Sequence, residues 1–459
     1  MGRLFGTDGV RGLANRDLTA DLALDLAGAA AHVLGELGAL QPAGRPGARP
    51  RAVVGRDPRA SGEFLEAATV AGLASAGLDV LVLGVLPTPG VAHLTAELGV
   101  DLGVMISASH NPMPDNGIKF FARGGHKLPD EVEEQIEARL TEGWARPTGD
   151  AVGRVVQYDD AVSEYVEHLL SCTPNRLRGL RVVVDAGNGA AAEASPRALR
   201  RMGAEVLAIH SSPDGYNINE GCGSTHLADL REAVVEHGYD VGIAHDGDAD
   251  RCLAVDAEGN VVDGDQIMAV LALAMRERGL LAQDTVVATV MSNLGFKLAM
   301  GEAGITVVET GVGDRYVLEA MLRGGYNLGG EQSGHLVFLN HSTTGDGILT
   351  ALRLLSVMIR EQQPLAELAR CMEVYPQVLL NLRVKQKQDL SRVPQAHKAI
   401  QAAEKRLKGW GRLLVRFSGT EPLLRVMVEG EKSAEIQEVA QELVQSLDTC
   451  LNHGEGPPC

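Results

Sequence analysis

A serine and a histidine stand where an apolar run ends. The run Leu102–Ile106 has the composition of a buried strand, and Ser107–Phe121, SASHNPMPDNGIKFF, follows it. Pro112 cannot continue a ladder of backbone hydrogen bonds, so the strand must end before it. Ser109 and His110 therefore stand at a strand end, which is where ligands gather in α/β sheets. A capped turn is the alternative interpretation, because Ser, Asn, Pro and Gly are common turn residues.

Lys119 is the feature that a plain turn does not need. It follows Ser109 by ten residues and lies in the strand-like segment GIKFF. A serine hydroxyl that acts as a nucleophile needs a base and electrostatic support, and a neighbouring lysine can supply either. The segment therefore predicts a nucleophilic serine with a lysine beside it.

A second segment, AHDGDADRC, carries three carboxylates that alternate with small residues: Asp246, Asp248 and Asp250. Carboxylates so close repel one another unless a cation lies between them. The start resembles a calcium-binding EF-hand, but Arg251 occupies the position that needs glycine and Ala257 the position that needs glutamate. A hard cation such as Mg²⁺, with a phosphate oxygen as a further ligand, fits better. A solvated acidic turn is the alternative.

A third segment, LLVRFSGTEPLLRV, contains a turn with two hydroxyl residues and a glycine, and an arginine lies on each side of that turn. Guanidinium groups, hydroxyls and a freely turning backbone N–H are the parts of a phosphate-binding loop. A plain hairpin turn is the alternative. The candidate phosphate ligands are Arg416, Ser418, Gly419, Thr420 and Arg425.

Other glycine-rich segments are less specific. GGEQSGH places Glu331, Ser333 and His335 at alternate positions, as a loop that binds sugar hydroxyls would, but polar loops of this kind are common. FGTDGVRG carries Arg11. The segment VVVDAGNGAAAE has the spacing of a dinucleotide-binding turn, yet the next strand ends at His210 and not at an acidic residue, which argues against nicotinamide binding.

The elements that must position these residues follow a repeated pattern. A Val-rich strand, a turn of small residues, a helical stretch and a second strand recur from residues 51, 181 and 285. Apolar strands that alternate with Ala- and Leu-rich helices predict an α/β fold with mixed sheets. We predict three related α/β domains, residues 1–155, 156–258 and 259–372, and a smaller α+β domain, residues 373–459.

Composition limits the function further. The 459 residues are 45% hydrophobic and 22% charged, as in globular proteins, and the net charge of −18 argues against nucleic-acid or anionic membrane partners. The start MGRLFGTDGVRG is not a secretory signal, and no apolar run would span a bilayer. The six cysteines form no CxxC pair, which favours free thiols in the cytoplasm and argues against a structural zinc site.

Taken together, the motifs resemble those of the α-D-phosphohexomutase family. FGTDGVRG, SASHNP with DNGIKFF, DGDADR, VGDRYV, GEQSGH, TTGDG and RFSGTEPLLRVMVE occur in the family's order over nearly the whole chain. Within the family, DNGIKFF, VGDRYV and GEQSGH favour the subgroup that acts on glucosamine phosphates. The resemblance implies four domains around one central cleft, and the threefold repeat agrees with it.

The resemblance also implies roles. Ser109 would be a phosphoserine and, with the three aspartates, a ligand of one Mg²⁺; His110 and Arg251 would offset its charge. Lys119 and His335, with Arg11 alongside, would be the acid/base residues, and Glu331 and Ser333 would bind sugar hydroxyls. The five phosphate ligands of the third segment would hold the substrate's unreactive phosphate. The implied reaction interconverts glucosamine 6-phosphate and glucosamine 1-phosphate through a sugar 1,6-bisphosphate, and the enzyme would be a cytoplasmic homodimer.

Three other functions stay open. A relative specific for mannose or glucose phosphates would share this mechanism. A Mg²⁺-dependent sugar phosphatase would use an aspartate of DGDADR as nucleophile and release phosphate even without Ser109. A non-catalytic sugar-phosphate sensor would bind hexose phosphates without turnover.

Overall fold

The computed structural model describes residues 4–6, 8–40, 49–418 and 422–453. They belong to two compact units. The first extends from the N-terminal segment to Met291 and continues over Ala303–Cys371, and the second holds Ser292–Glu302 and the chain from Met372 onward. No helix in these described ranges is long and apolar enough to cross a lipid bilayer.

The strands of the first unit are β1 (Phe5–Gly6), β2 (Gly9–Leu13), β3 (Arg51–Arg56), β4 (Asp79–Val85), β5 (Leu102–Ile106), β6 (Asp115–Ala122), β7 (Val155–Gln157), β8 (Arg181–Asp185), β9 (Glu205–Ile209), β10 (Val241–Ala244), β11 (Leu253–Asp256), β12 (Val261–Val262), β13 (Thr285–Thr289), β14 (Thr306–Thr310), β15 (Leu328–Gly330) and β16 (Leu336–Phe338). Those of the second unit are β17 (Gln377–Arg383), β18 (Gly411–Phe417) and β19 (Leu423–Gly430).

The α-helices, in chain order, are α1 (Ala20–Glu36), α2 (Ala60–Ser75), α3 (Thr88–Glu97), α4 (Asp130–Ala138), α5 (Ala161–Ser171), α6 (Ala191–Met202), α7 (Ala228–Glu236), α8 (Gly264–Glu277), α9 (Leu294–Glu302), α10 (Asp314–Gly324), α11 (Gly347–Glu361), α12 (Leu365–Ala369), α13 (Pro394–Leu407) and α14 (Ser433–Asn452). Helices α9, α13 and α14 belong to the second unit.

Three sheets of the first unit repeat one strand order. The orders β4-β3-β5-β6, β9-β8-β10-β11 and β14-β13-β15-β16 are equivalent. In each set the first three strands are parallel and the fourth is antiparallel. A helix follows each of the first two strands along the chain, so every repeat reads β-α-β-α-β-β. The α/β class and the threefold repeat predicted from the sequence are confirmed.

The repeat places the motifs at equivalent turns. Ser109 and His110 lie between β5 and β6, the three aspartates lie between β10 and β11, and Glu331–His335 links β15 to β16. The third strands are apolar and buried, and every residue of β5 is fully or almost fully buried. Burial of a Val, Leu or Ile side chain stabilises a fold by about 1.5–3 kcal/mol, so these strands are firmly fixed supports for the turns.

Side-chain caps fix the starts of several helices. Asp263 and Gln266 form a capping box at α8, and Asp346 accepts the Leu349 N–H at the start of α11. Such caps satisfy backbone N–H groups that have no partner within the helix.

The second unit has a core of its own. Its sheet, β17-β19-β18, is antiparallel, and Leu424 and Val426 of the central strand are fully buried together with Ile436 and Leu447 of α14. This architecture agrees with the α+β domain predicted at the C-terminus. The domain boundaries near residues 155, 258 and 372 stay predictions.

Candidate active site

Ser109 is held against the acidic loop. Only 1% of the residue is exposed, and its Oγ donates a hydrogen bond of 2.6 Å to Asp246 Oδ2. His110 Nδ1 lies 3.4 Å from the same Oγ. Ser109 has a φ of +53°, in the left-handed region that residues other than glycine rarely adopt. Strain of this kind persists only where the surrounding contacts enforce it.

Contacts from two sides hold the backbone of Ser109 in this conformation. Its N–H donates to Ser107 Oγ at 2.9 Å, and its carbonyl oxygen accepts from Arg59 Nη2 and from Asn219 Nδ2, each at 2.9 Å. Arg59 is fully buried and pairs with Asp57 at 2.9 Å. Sequence reasoning missed these supporting residues, because Arg59 and Asn219 lie far from Ser109 along the chain and match none of the patterns considered.

The three aspartates form a buried cluster. One carboxylate oxygen of each lies within 4.8 Å of the other two. Burial, followed by the charges of Asp250 and Asp248, raises the pKa of Asp246 to about 8. Asp248 Oδ1 and Asp250 Oδ1 are buried without a hydrogen-bond donor. Convergent carboxylate oxygens that lack donors fit a hard divalent cation such as Mg²⁺, and the Ser109 hydroxyl is beside them.

Lys119 connects this cluster to the N-terminal motif. Its Nζ lies 2.8 Å from Asp248 Oδ2 and 2.8 Å from Asp8 Oδ2. Burial by itself lowers the pKa of Lys119, but Asp248, Asp8 and Asp250 together hold it above its ordinary value. Lys119 is therefore a cation at neutral pH.

Asp8 is the centre of a chain of buried and partly buried charges. It pairs with Arg11 and Lys119, and Lys127 Nζ lies 2.5 Å from its Oδ1. Lys127 also pairs with Asp314. Burial raises the pKa of Asp8, yet Lys119, Lys127 and Arg11 hold it well below its ordinary value. Asp8 and Asp314 belong to the motifs FGTDGVRG and VGDRYV, but the sequence alone indicates no role for them, and no pattern indicates Lys127.

His335 lies between two carboxylates. Its Nδ1 is 3.4 Å from Asp250 Oδ2 and its Nε2 is 3.6 Å from Asp314 Oδ2. Burial lowers the pKa of His335, but Asp250 and Asp314 raise it to about 9. Nε2 also accepts the Gly345 N–H at 3.1 Å, which requires a lone pair on that nitrogen. The Gly345 N–H thus favours an unprotonated Nε2, whereas the two carboxylates favour a protonated ring. Nε2 is therefore the atom at which a proton can be held or released.

Glu331 and Ser333 present polar atoms at the equivalent turn of the third repeat. Glu331 Oε1 accepts the Gly313 N–H at 3.2 Å, and burial raises the pKa of Glu331. Ser333 Oγ is buried without a hydrogen-bond partner. Buried polar atoms normally have partners, so an unpaired hydroxyl here is available to a ligand.

The two residues expected to offset the phosphoserine charge differ in their own charge. Arg251 Nε lies 3.9 Å from Asp246 Oδ2 and 3.8 Å from Asp250 Oδ1, and the guanidinium is charged. Burial, then the charges of Arg251 and Arg11, lowers the pKa of His110 to about 4. The His110 ring is therefore uncharged at neutral pH in the unphosphorylated chain.

The glycine-rich turn after β8 supports the acidic loop. A Cβ atom at Gly189 would lie 2.5 Å from the Gly247 carbonyl oxygen, and Ala190 N donates to that oxygen at 2.8 Å. The close approach of two backbones explains the glycine at this position without a dinucleotide.

The candidate phosphate ligands lie in the second unit. Arg416 of β18 and Arg425 of β19 are directly opposite each other, and burial, then the charge of Arg425, lowers the pKa of Arg416. Ser418 is buried, and its carbonyl oxygen accepts from Lys387 Nζ at 2.7 Å. Gly419 and Thr420 lie outside the described residues.

Four family models match the chain in order, and they define its protein family. They are the phosphoglucomutase/phosphomannomutase alpha/beta/alpha domains I, II and III, at residues 2–146, 163–259 and 263–375, and the C-terminal domain, at residues 379–446. The chain belongs to the phosphoglucomutase/phosphomannomutase family.

Two curated relatives that match nearly the whole chain share one name. A phosphoglucosamine mutase of Acidothermus cellulolyticus is 63% identical over 443 residues, which cover 96% of this chain and 95% of the relative. A phosphoglucosamine mutase of Streptomyces avermitilis is 61% identical and covers 98% of this chain and 100% of the relative.

Solved structures share the fold. A phosphoglucomutase/phosphomannomutase family protein of Burkholderia thailandensis superposes with a TM-score of 0.81 at 24% identity, covering 97% of each chain. The N-acetylphosphoglucosamine mutase of Aspergillus fumigatus, in complex with GlcNAc-6P and magnesium, has a TM-score of 0.61 at 17% identity, with 93% of this chain and 98% of that chain covered.

Proposed function

We propose that this protein interconverts glucosamine 6-phosphate and glucosamine 1-phosphate and that Ser109 carries the transferred phosphoryl group. The observation that carries the proposal is the buried Ser109 Oγ, 2.6 Å from Asp246 in the cluster of three aspartates. The phosphoglucosamine mutases that match nearly the whole chain at 61–63% identity support the choice of sugar. The product would supply amino-sugar nucleotide and cell-wall synthesis.

The reaction needs two phosphoryl transfers at one serine. Phosphorylated Ser109 gives its phosphoryl group to the free hydroxyl of the substrate, which produces a sugar 1,6-bisphosphate. The bisphosphate turns end for end, and Ser109 then accepts the other phosphoryl group. Each transfer removes a proton from an attacking hydroxyl and places negative charge on a leaving oxygen, so the site must serve both needs.

Charge around Ser109 supports this chemistry. A phosphoserine carries about −1.5 to −2 charges, and three carboxylates would repel it. Asp246, Asp248 and Asp250 would hold Mg²⁺, which neutralises charge on a transferring phosphoryl group when bound. Lys119 and Arg251 add fixed positive charge next to the same carboxylates.

Two residues of the first unit are assigned to the reacting sugar oxygens. His335 Nε2 can hold or release a proton, and we assign it to the attacking or leaving sugar oxygen. Lys119, the other predicted acid/base residue, has a raised pKa and stays protonated at neutral pH, which suits electrostatic support of the leaving oxygen better than proton release. Arg11, next to Asp8, would support the same oxygen.

Remote contacts would orient the sugar. We assign the unreactive phosphate to Arg416, Ser418, Gly419, Thr420 and Arg425, and the sugar hydroxyls to Glu331 and Ser333. Binding energy from parts of the substrate that do not react positions the reacting hydroxyl, which is how such sites gain rate. The homodimer and the cytoplasmic location stay predictions.

A phosphorus NMR time course tests the proposal. Wild type and Ser109→Ala, each with Mg²⁺ and a priming amount of sugar bisphosphate, receive glucosamine 6-phosphate, glucose 6-phosphate or mannose 6-phosphate in separate samples. Ser446→Ala is the control, since this serine lies on the exposed side of α14 and its hydroxyl donates to the Glu442 carbonyl of the same helix. We expect rapid formation of glucosamine 1-phosphate in wild type and the control and none in Ser109→Ala.

Other outcomes identify the alternatives. Faster turnover of glucose or mannose 6-phosphate would keep the mechanism and change the substrate. Release of inorganic phosphate by wild type and by Ser109→Ala alike would favour the phosphatase. Binding of hexose phosphates without turnover in the primed wild type would favour the sensor.

A further inference from the structure

A second cluster of metal-type ligands lies in the first unit. Asp185 ends β8, His210 follows β9, and Cys222 belongs to the loop before α7. A carboxylate oxygen, a ring nitrogen and the thiol Sγ of these residues lie within 4.8 Å of one another. Asp185 and Cys222 are both fully buried. Three ligand types thus converge from three separate segments.

The histidine ring is held as a metal-bound ring would be. His210 Nε2 lies 3.1 Å from Asp229 Oδ2, and Nδ1 lies 3.1 Å from Asp185 Oδ2. A neutral imidazole that donates from Nε2 presents a lone pair at Nδ1. A carboxylate on the outer nitrogen of a ligating histidine is the usual arrangement around protein-bound metals.

The thiol is a second, independent indication. Cys222 is fully buried, and Asn188 Nδ2 approaches its Sγ at 4.0 Å. Sγ also lies within 4.8 Å of a ligand atom of Asp185 and of His210, so a cation between the three residues would gain a thiolate ligand.

Asp185 is fixed in place without using all of its acceptor capacity. Gly187 N donates to Oδ1 at 2.8 Å and Gly223 N donates to Oδ2 at 2.9 Å. An ionised carboxylate has about four lone-pair positions, so two remain for a metal ion. The ligand positions are therefore set by the backbone and not by a bound ion.

We propose that Asp185, His210 and Cys222 bind one Zn²⁺ ion at a site separate from the Mg²⁺ ligands. Carboxylate, imidazole and thiolate are all ligands of Zn²⁺, and a thiolate favours it over Mg²⁺. On binding, the Cys222 proton passes to solvent, the Sγ–Zn bond forms, and the fourth position takes water. The missing CxxC pairs, which argued against structural zinc, do not bear on a site with a single thiolate.

The site would stabilise the support of Ser109. Asn219, three residues before Cys222, donates to the Ser109 carbonyl oxygen, and Ser224 N donates to the His245 carbonyl oxygen at 2.9 Å. A metal ion that joins Cys222 to β8 would hold this loop, and an ion that binds only the folded chain raises its melting temperature.

Cobalt titration of the full-length, Mg²⁺-saturated protein tests the proposal. Co²⁺ is a spectroscopic probe for zinc sites, and oxygen ligands such as the three aspartates give no thiolate-to-cobalt absorption. We expect a charge-transfer band that saturates at one Co²⁺, disappears on addition of Zn²⁺ and is absent in Cys222→Ser. Cys371→Ser, at a half-buried thiol outside the cluster, should keep the band.

A milder variant distinguishes loss of the metal site from misfolding of the chain. Asp229 is half exposed, and Asp229→Asn should keep the band while weakening Zn²⁺ affinity about 10- to 100-fold. Zn²⁺ should raise the melting temperature of wild type and Cys371→Ser but not of Cys222→Ser. No band in wild type, or a band that survives in Cys222→Ser, would overturn the proposal. The mutase assignment is unaffected either way, because the NMR assay does not depend on Zn²⁺.

Discussion

Single residues in the active site are controlled by their charged neighbours. Lys119 stays a cation although it is buried, because Asp8 and Asp248 each lie 2.8 Å from its Nζ. His110, at the same turn as Ser109, is uncharged because burial and two arginines lower its pKa. A buried charge whose partner is removed costs about 3–5 kcal/mol, so Lys119 and its two aspartates also bear on the stability of the fold.

Glu331 allows a test that separates binding from chemistry. If it binds sugar hydroxyls in both orientations, Glu331→Ala should raise KM for glucosamine 6-phosphate and glucosamine 1-phosphate alike, by about 10- to 100-fold, with a small change in kcat. Steady-state kinetics in both directions provide the measurement. Glu319→Ala, at an exposed position of α10, is the control. A KM change in one direction alone would contradict the shared role.

At the scale of elements, the repeat explains how distant motifs meet. Each β-α-β-α-β-β repeat ends its third strand in a turn, and these three turns carry Ser109, the three aspartates and Glu331–His335. The sequence predicted the strand ends because apolar runs break there into polar and glycine-rich residues. It also predicted the repeat, since Val-rich strands and helices alternate at similar spacing.

Other features could not be predicted from the sequence. The supports of Ser109, such as Arg59 and Asn219, depend on tertiary contacts between segments that no local pattern connects. The positive φ of Ser109 results from these contacts and not from its residue type. Helix α9 follows β13 as the repeat predicts, yet it clusters with the C-terminal unit, which only packing determines.

Gly247 tests how closely the loop of Ser109 and the acidic loop must approach each other. A Cβ atom there would lie 2.6 Å from the Ser109 carbonyl oxygen and 2.9 Å from Asn219 Nδ2. Gly247→Ala should separate Ser109 from the aspartates and lower kcat by about 100-fold or more, because a shift of about 1 Å can cost that much. Gly143→Ala, where nothing lies within 4 Å, is the control. Circular dichroism checks that both variants fold; unchanged kcat in Gly247→Ala would show that the loops can separate without loss.

The cap of α11 provides a test of pH dependence. Asp346 accepts from Leu349 N at 2.8 Å and from the Tyr165 hydroxyl at 2.9 Å, and burial raises its pKa from 3.8 to about 6. The folded chain therefore holds this proton more tightly than the unfolded chain, so the contribution of Asp346 to stability falls as pH rises from about 4 through 6.

Asp346→Asn keeps a capping acceptor but removes the titration. We expect it to gain about 1–3 kcal/mol over wild type between about pH 4 and pH 7, with the difference growing as pH rises. Melting temperatures of the two proteins across this range provide the measurement. A difference that stays constant with pH would mean that Asp346 has an ordinary pKa.

At the scale of the whole molecule, positive charge is local in an acidic protein. The net charge is −18, yet Lys119 and Arg251 lie against the acidic loop of the first unit. Arg11 and Lys127 pair with the neighbouring Asp8, and Arg416 lies opposite Arg425 in the second unit. An anionic substrate is thus attracted by the sites and not by the surface in general.

The two units should differ in their response to a core substitution. Leu424 is fully buried in the core of the second unit, and Leu424→Ala should destabilise that unit by about 2–5 kcal/mol. Hydrogen exchange followed by mass spectrometry should show lost protection in β17, β18 and β19, with β10 of the first unit unchanged. Equal loss in both units would show that the protein unfolds as one cooperative body.

On the proposed role of Ser109, the tightly held turn bears on how a newly made chain would acquire its first phosphate. The carbonyl oxygens of Ser109 and Asn111 are both bound by Arg59 and Asn219, and the serine is 1% exposed. A protein kinase would have to pull this segment out of the fold and break those bonds, whereas a small phosphoryl donor needs only to reach Oγ. On the proposed role of Ser109, priming would therefore fall to a small metabolite, and a chain that meets none would stay dormant after synthesis, with a lag that the donor's concentration sets.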